Sequence, residues 1–571
     1  MRISRTAKEI TVSNYKETYE FWKINPFFDE ETHAELATLT DEKEIEDRFY
    51  RDLEFGTAGA RGVMGAGTNR FNSYNVRRIS TGFANYLLNK FGEAAKTRGI
   101  AIAFDTRNNS SEYAKKTALT MCAAGIPAHL YAYTCPTPML SFAVRELGCV
   151  GGVIITASHN TKEYNGYKAY DDTGCQLYPD DADAVVAEVE KVDITKTVIM
   201  DEEEALSKGL LTYLGDEMMD RYVDAIKNQE NGIPADIKAD LKACYTPLHG
   251  SGLVPITKVL SELGYSGVDT VAEQCTPDGN FPTVVSPNPG DESAMSMVIE
   301  QAKSMGADIA LGSDPDADRI GLAAKDTDGN YTFFSGNQIC AMLIEYLLTA
   351  RADKLKPNSC IMTTVVTSEL GSAIAKSYGL SVDEVLTGFK FIGALMNRYE
   401  KTGEKTVEFG YEESNGCLIG NHVRDKDATV AVMMICEMAA YYKSQGKTLC
   451  DVLQDIYKKH GYYLDHLDSY EFKGKDGAEK ISAINAKLRE LGASLSPDIE
   501  RIRDFAIGTE DMPPSDVLKY WFKDGSWLAV RPSGTEPKIK IYYCIHDDDH
   551  KAATENLAAK QKLINDVIDS L

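Results

Sequence analysis

Short apolar runs alternate with longer amphipathic stretches from about residue 98 onward. The runs IAIAF (100–104), PAHLYAY and CVGGVIIT (149–156) predict buried strands, and EYAKKTALTMCAAG (112–125) and PMLSFAVRELG predict the helices between them. This alternation is typical of β-α-β units, in which neighbouring strands of one sheet run parallel.

The same alternation restarts twice after an acidic segment at 180–209, which predicts a boundary helix and a linker. The second round predicts strands at 240–248, 267–272 and 307–313, with helices that end near residues 264 and 305. The third round predicts strands at 359–366, 381–387 and 406–411, followed by a long helix at 427–443.

The pattern changes after about residue 460, where strand-like YYLDHLDSYEF, SWLAVRP and KIKIYYCIH accompany two helical stretches. The first 50 residues are charged and predict helices. The sequence therefore predicts an α/β protein with three related mixed-sheet α/β domains and a different, α+β domain at the C-terminus. The expected boundaries divide the chain into residues 1–205, 206–325, 326–455 and 456–571.

The composition and net charge of the chain limit which kinds of molecule it is expected to bind. The 571 residues carry a net charge of −25, with 43% apolar and 26% charged residues, which is an ordinary globular mixture. An acidic chain is a poor nucleic-acid binder, so a small anionic ligand would need a local cluster of cations or backbone N–H groups. No stretch is long and apolar enough for a membrane span, and twelve dispersed cysteines without a C-x-x-C pair predict reduced thiols and a cytoplasmic protein.

The loop DPDADR follows the strand at 307–313 and predicts a metal site. Asp314, Asp316 and Asp318 alternate, so in an extended loop their carboxylates can converge on one hard cation such as Mg²⁺. An EF-hand calcium loop would need Gly at the sixth position and Glu at the twelfth, where this chain has Arg319 and Lys325. Metal binding is therefore favoured over an acidic, solvated turn.

The loop TASHN follows the strand at 149–156 and places Ser158 at its tip. Ser158 is either a helix N-cap or a serine that accepts a phosphoryl group beside a metal, and the loop alone leaves both interpretations open. Adjacent side chains do not normally face each other, which disfavours a hydrolase pair of Ser158 with His159. Lys168 is either a phosphate contact or proton shuttle, or an ordinary surface lysine.

Three further loops carry polar groups suited to sugar or phosphate. GYEESNG (410–416) offers carboxylates and a hydroxyl for sugar hydroxyls, although in isolation a solvated turn is favoured. RPSGTEP (531–537) combines an arginine, two hydroxyls and a glycine, which favours a phosphate site over a simple hairpin turn. FGTAGARG (55–62) is a weaker, glycine-rich signal that contains Arg61.

Taken in order, these loops resemble those of the α-D-phosphohexomutase superfamily, which includes phosphoglucomutases and phosphomannomutases. The resemblance covers most of the chain, and the length together with TGFKFIG (387–393) is most similar to the phosphoglucomutase/phosphopentomutase branch. It implies four domains around a central cleft. It also implies a phosphorylated Ser158 whose phosphate ligates Mg²⁺ together with Asp314, Asp316 and Asp318.

The resemblance implies roles for the other loops as well. Sugar hydroxyls would contact Glu412 and Ser414, and Arg61 would lie on the substrate-binding loop near the N-terminus. The non-reacting phosphate would bind to Arg531, Ser533, Gly534 and Thr535. The groups near the transferring phosphoryl would be His159, Lys168, Arg319 and Lys390. Phosphomannomutase-type enzymes carry a histidine after the sugar-loop serine, where this chain has Asn415, so Lys390 is the candidate to replace that acid or base.

The implied activity is interconversion of glucose 1-phosphate and glucose 6-phosphate through phosphoserine and a bisphosphate intermediate. Glucose 1,6-bisphosphate would be the activator, and a small sugar phosphate the partner. Alternatives within the class are phosphopentomutase, phosphomannomutase and glucose-1,6-bisphosphate synthase. A catalytically silent sugar-phosphate-binding protein is the alternative from another class.

Overall fold

A computed structural model of the chain describes residues 15–56, 59–472, 474–509, 512–532 and 538–571. Within these residues the strands form four sheets, and we call the parts of the chain around them the first to fourth units. Three of the sheets are mixed and the last is antiparallel, which confirms the predicted fold class.

The first unit contains the sheet β1-β2-β6-β5-β3-β4-β7. Its strands are β1 (Phe55–Gly56), β2 (Gly59–Val63), β3 (Ile100–Phe104), β4 (Ala128–Tyr131), β5 (Gly152–Ile155), β6 (Tyr164–Tyr170) and β7 (Leu211–Leu214). Its helices are α1 (Tyr15–Ile24), α2 (Glu30–Ala37), α3 (Glu42–Phe49), α4 (Ser73–Phe91), α5 (Glu93–Arg98), α6 (Ser110–Ala123), α7 (Thr137–Leu147), α8 (Pro179–Val189) and α9 (Glu202–Ser207).

The continuous apolar run of β3 reflects burial on both faces of this sheet. Ile100, Ile102 and Phe104 pack into one hydrophobic cluster, whereas Ala101 and Ala103 pack into another. Because successive side chains of a strand point to opposite faces, a strand between two layers of helices needs apolar residues at every position.

The second unit contains the sheet β12-β11-β10-β8-β9. Its strands are β8 (Ala243–Thr246), β9 (Val268–Thr270), β10 (Ile309–Ser313), β11 (Ile320–Lys325) and β12 (Tyr331–Phe334). Its helices are α10 (Asp216–Lys227), α11 (Ala235–Asp240), α12 (Leu253–Glu262) and α13 (Ser296–Met305).

The third unit contains the sheet β14-β13-β15-β16. Its strands are β13 (Ser359–Thr364), β14 (Ser381–Val385), β15 (Thr406–Glu412) and β16 (Gly416–Ile419). Its helices are α14 (Gly336–Ala350), α15 (Glu369–Ser377), α16 (Phe389–Thr402), α17 (Ala428–Ser444) and α18 (Leu449–His460).

The fourth unit contains the antiparallel sheet β17-β21-β20-β19-β18. Its strands are β17 (Tyr462–Glu471), β18 (Ile499–Asp504), β19 (Leu518–Phe522), β20 (Trp527–Pro532) and β21 (Lys538–Asp547). Its helices are α19 (Gly474–Leu491) and α20 (His550–Asp569).

One hydrophobic core runs through the first three units, and residues such as Ala101, Tyr245 and Ile361 belong to the same cluster. The fourth unit has its own core and joins the third through a smaller cluster that includes Val365 and Trp527. The loops at the strand ends of the first three units are therefore positioned against one another by a shared interior.

The pairing of two strands bears on the predicted domain boundaries. β7 follows the boundary predicted after residue 205, yet it pairs with β4 and so belongs to the sheet of the first unit. In the same way, β12 follows the boundary predicted after residue 325, yet it pairs with β11 and belongs to the sheet of the second unit. Among the described residues, none of the helices combines the length and apolar composition needed to cross a bilayer. The cysteines are free thiols, as the sequence predicted, and all except Cys275 and Cys450 are buried.

Candidate active site

Three polar loops occupy equivalent places in the first three units. The loops that carry Ser158, Asp314 and Ser414 follow β5, β10 and β15, each of which pairs in parallel with a neighbouring strand. In each case the chain then returns as an antiparallel strand, namely β6, β11 and β16. Each loop follows a strand, as the sequence predicted, and the carboxyl ends of parallel strands are the usual location of ligand sites. The returning strands were not predicted.

Ser158 lies against the loop of the second unit. Ser158 is 3% exposed, and its Oγ donates a hydrogen bond to Asp314 Oδ2 at 2.7 Å. The loop leads into β6 and not into a helix, so the helix N-cap interpretation of Ser158 was wrong. The backbone of Ser158 is left-handed, with φ 52°, which is uncommon for a residue with a Cβ and is frequent at functional sites.

The expectation that Ser158 and His159 would face apart was also wrong. Ser158 Oγ lies 3.2 Å from His159 Nδ1. The left-handed backbone at Ser158 departs from the extended geometry that sends successive side chains to opposite faces. Burial, together with the positive charges of Arg319 and Arg61, lowers the pKa of His159 to about 2, so the ring is neutral here.

Asp314, Asp316 and Asp318 form a buried cluster in which one oxygen from each lies within 4.8 Å of the others. Ala317 has a left-handed backbone, with φ 46°, at the centre of this loop. Asp314 Oδ1 accepts hydrogen bonds from the backbone N–H groups of Asp318 and Arg319, both at 3.0 Å. The loop therefore wraps around its first aspartate and turns the other two toward the same point.

The carboxylate oxygens of this cluster are only partly used by protein donors. Asp316 Oδ2 accepts from Thr137 Oγ1 and Lys168 Nζ, both at 2.7 Å, and Asp318 Oδ2 lies 3.3 Å from Lys168 Nζ. The Oδ1 atoms of Asp316 and Asp318 are buried and accept no hydrogen bond from the described residues. Burial and the two neighbouring carboxylates raise the pKa of Asp314 well above its usual value.

Buried oxygens without donors, held close to like charges, are the arrangement that a divalent cation stabilises. The aspartates can therefore hold a metal ion. Ala428 N, at the start of α17, donates to Ala317 O at 3.1 Å, and Ser251 of the second unit donates to Pro315 O. Each of the first three units thus contacts the loop DPDADR at residues 314–319, which we call the metal loop.

Lys168 and Arg61 lie beside the same loops. Lys168 is on β6 and only 8% exposed, so the alternative of an ordinary surface lysine was wrong. Arg61 is on β2, and its guanidinium donates to Asn160 Oδ1 at 2.8 Å. Arg319 is half-buried, and its Nε lies 3.7 Å from Asp318 Oδ1. All three cations therefore border the loop that carries Ser158 or the metal loop.

Glu412 ends β15 and is buried, so the solvated-turn interpretation of this loop was wrong for Glu412. Its Oε1 accepts a 2.7 Å hydrogen bond from Gly388 N, at the start of α16. Burial raises the pKa of Glu412 to about 7, the nearby Lys426 opposes this shift, and Glu413 adds to it. Ser414 follows in a half-buried turn. A helix N-terminus stabilises a carboxylate, which fixes the orientation of this side chain.

Asn415 links this loop to the metal loop. Ile320 N donates to Asn415 O, and Asn415 Nδ2 donates to Ile320 O, both at 3.0 Å. Asn415 has a left-handed backbone, with φ 66°. Asn415 of the third unit thus makes two hydrogen bonds to Ile320, the residue that follows the metal loop.

Lys390 lies in the first turn of α16 and is buried. Burial and the positive charge of Arg531 lower the pKa of Lys390 to about 8, while Cys175 and Glu412 oppose this shift. Arg531 lies on β20 of the fourth unit. The charges of Arg531 and Glu412 therefore both act on Lys390. Ser533, Gly534 and Thr535 lie outside the described residues.

Sequence reasoning missed Thr137 and Lys426. Thr137 begins α7, and Lys426 precedes α17, with its Nζ 3.3 Å from Asp318 Oδ2 and 3.1 Å from Asp425 Oδ1. The charged run RDKD just before the apolar helix at 427–443 was a signal that could have directed attention to Lys426. Thr137 carries no such signal, because a threonine at the start of a helix is common.

Models of four domains of one protein family match successive parts of the chain. They are the phosphoglucomutase/phosphomannomutase alpha/beta/alpha domains I, II and III, at residues 52–196, 220–329 and 335–460, and the C-terminal domain at residues 473–561. The chain belongs to this family. It is therefore a phosphotransferase of the mutase class within the α-D-phosphohexomutase superfamily, as the resemblance of the loops implied.

Relatives in the phosphoglucomutase/phosphomannomutase family are similar in sequence to this chain over nearly its full length and theirs. A phosphoglucomutase of Staphylococcus haemolyticus is 36% identical over 525 residues, which covers 90% of this chain and 94% of that protein. A phosphoglucomutase of Staphylococcus aureus is 34% identical over 536 residues, with coverage of 91% and 94%.

Solved structures show the same fold. The open form of Paramecium parafusin, described as a phosphoglucomutase, superposes with a TM-score of 0.71 at 20% identity and covers 91% of this chain and 95% of that one. A putative phosphomannomutase of Thermus thermophilus gives a TM-score of 0.67 at 21% identity, with coverage of 90% and 99%.

Proposed function

We propose that the enzyme interconverts glucose 1-phosphate and glucose 6-phosphate by transferring a phosphoryl group to and from Ser158. The names of the relatives that are about 35% identical over most of the chain support the hexose assignment. One structural observation carries the mechanism: the Ser158 hydroxyl is buried beside the aspartate cluster of another unit, 2.7 Å from Asp314.

The proposed step exchanges one phosphate ester for another. The free hydroxyl of the bound monophosphate attacks the phosphorus of phosphorylated Ser158, so a new P–O bond forms as the serine P–O bond breaks. The sugar hydroxyl loses its proton to a base, and the serine oxygen regains one. The product is glucose 1,6-bisphosphate, which turns within the cleft and returns its other phosphoryl group to Ser158.

Mg²⁺ fits the aspartate cluster. Asp314, Asp316 and Asp318 would hold it, with an oxygen of the Ser158 phosphate as a further ligand. When bound, the ion withdraws electron density from the phosphoryl oxygens and neutralises part of their charge. His159, Lys168 and Arg319 surround the same point and are the proposed contacts of the transferring group.

The loops of the third and fourth units would bind the rest of the substrate. Glu412 and Ser414 are the proposed contacts for sugar hydroxyls, and Arg531 for the non-reacting phosphate, together with Ser533, Gly534 and Thr535. The positive charge of Arg531 contributes to the lowered pKa of Lys390, which supports a contact of both residues with the same phosphate. Its predicted role as an acid or base is the alternative.

Two further sequence-based predictions stay proposals. We place four domains along the chain, and the sheets support moving the first two boundaries past β7 and β12. We also propose a cytoplasmic location, for which the dispersed, mostly buried free cysteines are the support.

Kinetics on three substrates test the proposed function. Glucose 1-phosphate, mannose 1-phosphate and ribose 1-phosphate should each be supplied with the matching bisphosphate, and kcat/KM should be highest for glucose 1-phosphate. A preference for ribose or mannose phosphate would instead identify a phosphopentomutase or phosphomannomutase. Binding without turnover of any of them would identify a silent binding protein.

Labelling tests the role of Ser158. Wild-type enzyme incubated with ³²P-labelled glucose 1,6-bisphosphate should take up acid-stable label, and Ser158→Ala should lose both label and turnover. Ser207→Ala changes an exposed serine whose hydroxyl bonds only Glu204 O among the described residues, and it should retain both. Label on Ser158→Ala would contradict the assignment.

A further inference from the structure

The loop that carries Ser158 is supported from within the first unit by one arginine, Arg107. Its Nη2 donates to the carbonyl oxygens of Ser158 at 2.6 Å and Asn160 at 2.5 Å. Its Nη1 donates to the carbonyl oxygens of Thr161 at 2.9 Å and Tyr164 at 3.1 Å. The side chain of Arg107 is fully buried, so this loop is organised around a single guanidinium group.

This contact pattern suits arginine and no other side chain. The guanidinium is planar and carries its donors in a fixed fork, so one group can satisfy several carbonyl oxygens with defined directions. Lysine offers a single nitrogen on a flexible stem and cannot reproduce the fork. Since buried carbonyl groups are costly without partners, Arg107 stabilises this irregular loop conformation over alternatives.

The position of Arg107 is itself fixed by both the first and second units. Asp105 Oδ1 accepts from Arg107 N at 3.0 Å and from Ser110 Oγ at 2.8 Å, and Asp105 Oδ2 lies 3.3 Å from Arg107 Nε. On the other side, the guanidinium carbon lies 5.0 Å from the ring centroid of Phe281, in the second unit. A buried arginine with a carboxylate and an aromatic ring as neighbours has little freedom to move.

The second unit also contacts the same loop directly. Ser286 Oγ donates to the carbonyl oxygen of His159 at 3.1 Å. Arg107 makes no hydrogen bond to this carbonyl group, which lies between two that it does contact. Each carbonyl group from residue 158 to residue 161 therefore accepts a side-chain hydrogen bond from Arg107 or Ser286. The left-handed backbone of Ser158 lies at the start of this segment, where such a conformation persists only if its surroundings maintain it.

We propose that Arg107 is a positioning residue for phosphoryl transfer, which fixes the backbone of the Ser158 loop so that Ser158 Oγ faces the aspartate cluster. It acts through the loop and not on the substrate, since its donors are directed at backbone oxygens. This inference rests on the proposed function of Ser158. Its structural part, the ordering of the loop, can be measured without any substrate.

The test is Arg107→Lys, with Arg98→Lys as the matched control. Arg98 also donates to two carbonyl oxygens, those of Gly148 at 2.7 Å and Cys149 at 2.9 Å, and pairs with Asp172, but it lies at the opposite end of β3. Arg107→Lys should lower kcat by about 10- to 100-fold, as expected for loss of a group that orients a reacting residue. KM should change little because Arg107 does not contact substrate, and Arg98→Lys should leave both constants within about twofold of wild type.

Hydrogen exchange supplies a readout that is independent of activity. Peptides that span residues 156–166 should exchange faster in Arg107→Lys than in wild type or Arg98→Lys. If wild-type enzyme turns over no sugar phosphate but this difference is present, the proposed function fails and the structural part of the inference stands. Wild-type kcat together with unchanged exchange in Arg107→Lys would overturn the inference.

A second variant covers the case in which Arg107→Lys does not fold. Ser286→Ala removes only the hydrogen bond to His159 O and leaves Arg107 intact. It should lower kcat and speed exchange of the same peptides by smaller factors, again with KM nearly constant. An unfolded Arg107→Lys together with a Ser286→Ala that matches wild type in kcat and exchange would also overturn the inference.

Discussion

Thr137 of the first unit bonds Asp316 of the second unit twice. Its backbone N–H donates to Asp316 O at 2.8 Å, and its Oγ1 donates to Asp316 Oδ2 at 2.7 Å. Because Thr137 is also the first residue of α7, the orientation of one proposed metal ligand is coupled to the position of a helix in another unit.

Thr137→Val should weaken metal binding while preserving the fold. Valine has the shape of threonine but cannot donate, so Asp316 keeps only Lys168 as a side-chain donor. Groups that orient metal ligands typically contribute about 10- to 100-fold in affinity or activity. The concentration of Mg²⁺ that gives half-maximal activity should rise by that factor. Thr120→Val, which removes a hydroxyl bonded within a helix to Lys116 O, should not change it. An unchanged Mg²⁺ requirement in Thr137→Val would exclude this coupling.

Asp316→Asn should impair turnover more severely than Thr137→Val. The amide keeps the size of the side chain but removes one of the negative charges that would hold the cation. Loss of a metal ligand should lower kcat by at least about 100-fold, or about 2.7 kcal/mol. Asp328→Asn, on an exposed turn, is the control and should match wild type. Full activity after exhaustive chelation of the wild-type enzyme would contradict the metal assignment.

The pH dependence of kcat/KM should reveal the role of Lys390. A pKa near 8 leaves the amine positively charged below pH 8 and neutral above it. If Lys390 binds the non-reacting phosphate, kcat/KM should fall as pH rises through 8, because this constant reports ionisations of the free enzyme. Lys390→Arg, whose guanidinium stays charged, should lose that inflection. A rise of kcat/KM through pH 8 would support the alternative role of Lys390 as proton acceptor.

Asn415→Ala should be less stable than Asn415→Gly. Both variants lose the amide hydrogen bond to Ile320 O, but only glycine adopts φ 66° without a steric penalty. Urea denaturation should show Asn415→Ala about 1 kcal/mol less stable than Asn415→Gly. At Asn358, which is outside the left-handed region, the alanine variant should be at least as stable as the glycine variant. Equal stability of the two Asn415 variants would show that the backbone at this position relaxes.

The sequence predicted which loops are polar and functional in character better than it predicted the contacts between those loops. Asp314, Asp316 and Asp318 were recognisable because alternating carboxylates after an apolar strand have few structural uses. Ser158 was an ambiguous candidate, since its loop is compatible with a helix cap until the following strand β6 is known. The hydrogen bond between Ser158 and Asp314 depends on how two units pack, which no local pattern encodes.

The errors have a common physical origin. Ser158 and His159 were expected to face apart because that expectation assumes ordinary backbone angles, and a positive φ at a serine cannot be read from its neighbours. Arg107 and Thr137 were missed because each acts on a distant part of the chain from a position without a motif, and Lys426 was missed although the charged run RDKD marks its position. Ser533, Gly534 and Thr535 stay predictions.

The hydrogen bond from Ala428 N to Ala317 O has a consequence for biosynthesis. A ribosome-bound chain that stops short of α17 contains all three aspartates and Ser158, yet it lacks this support for the turn between Asp316 and Asp318. The turn between Asp316 and Asp318 therefore has all the contacts described above only when about the first three quarters of the chain, up to the start of α17, is present.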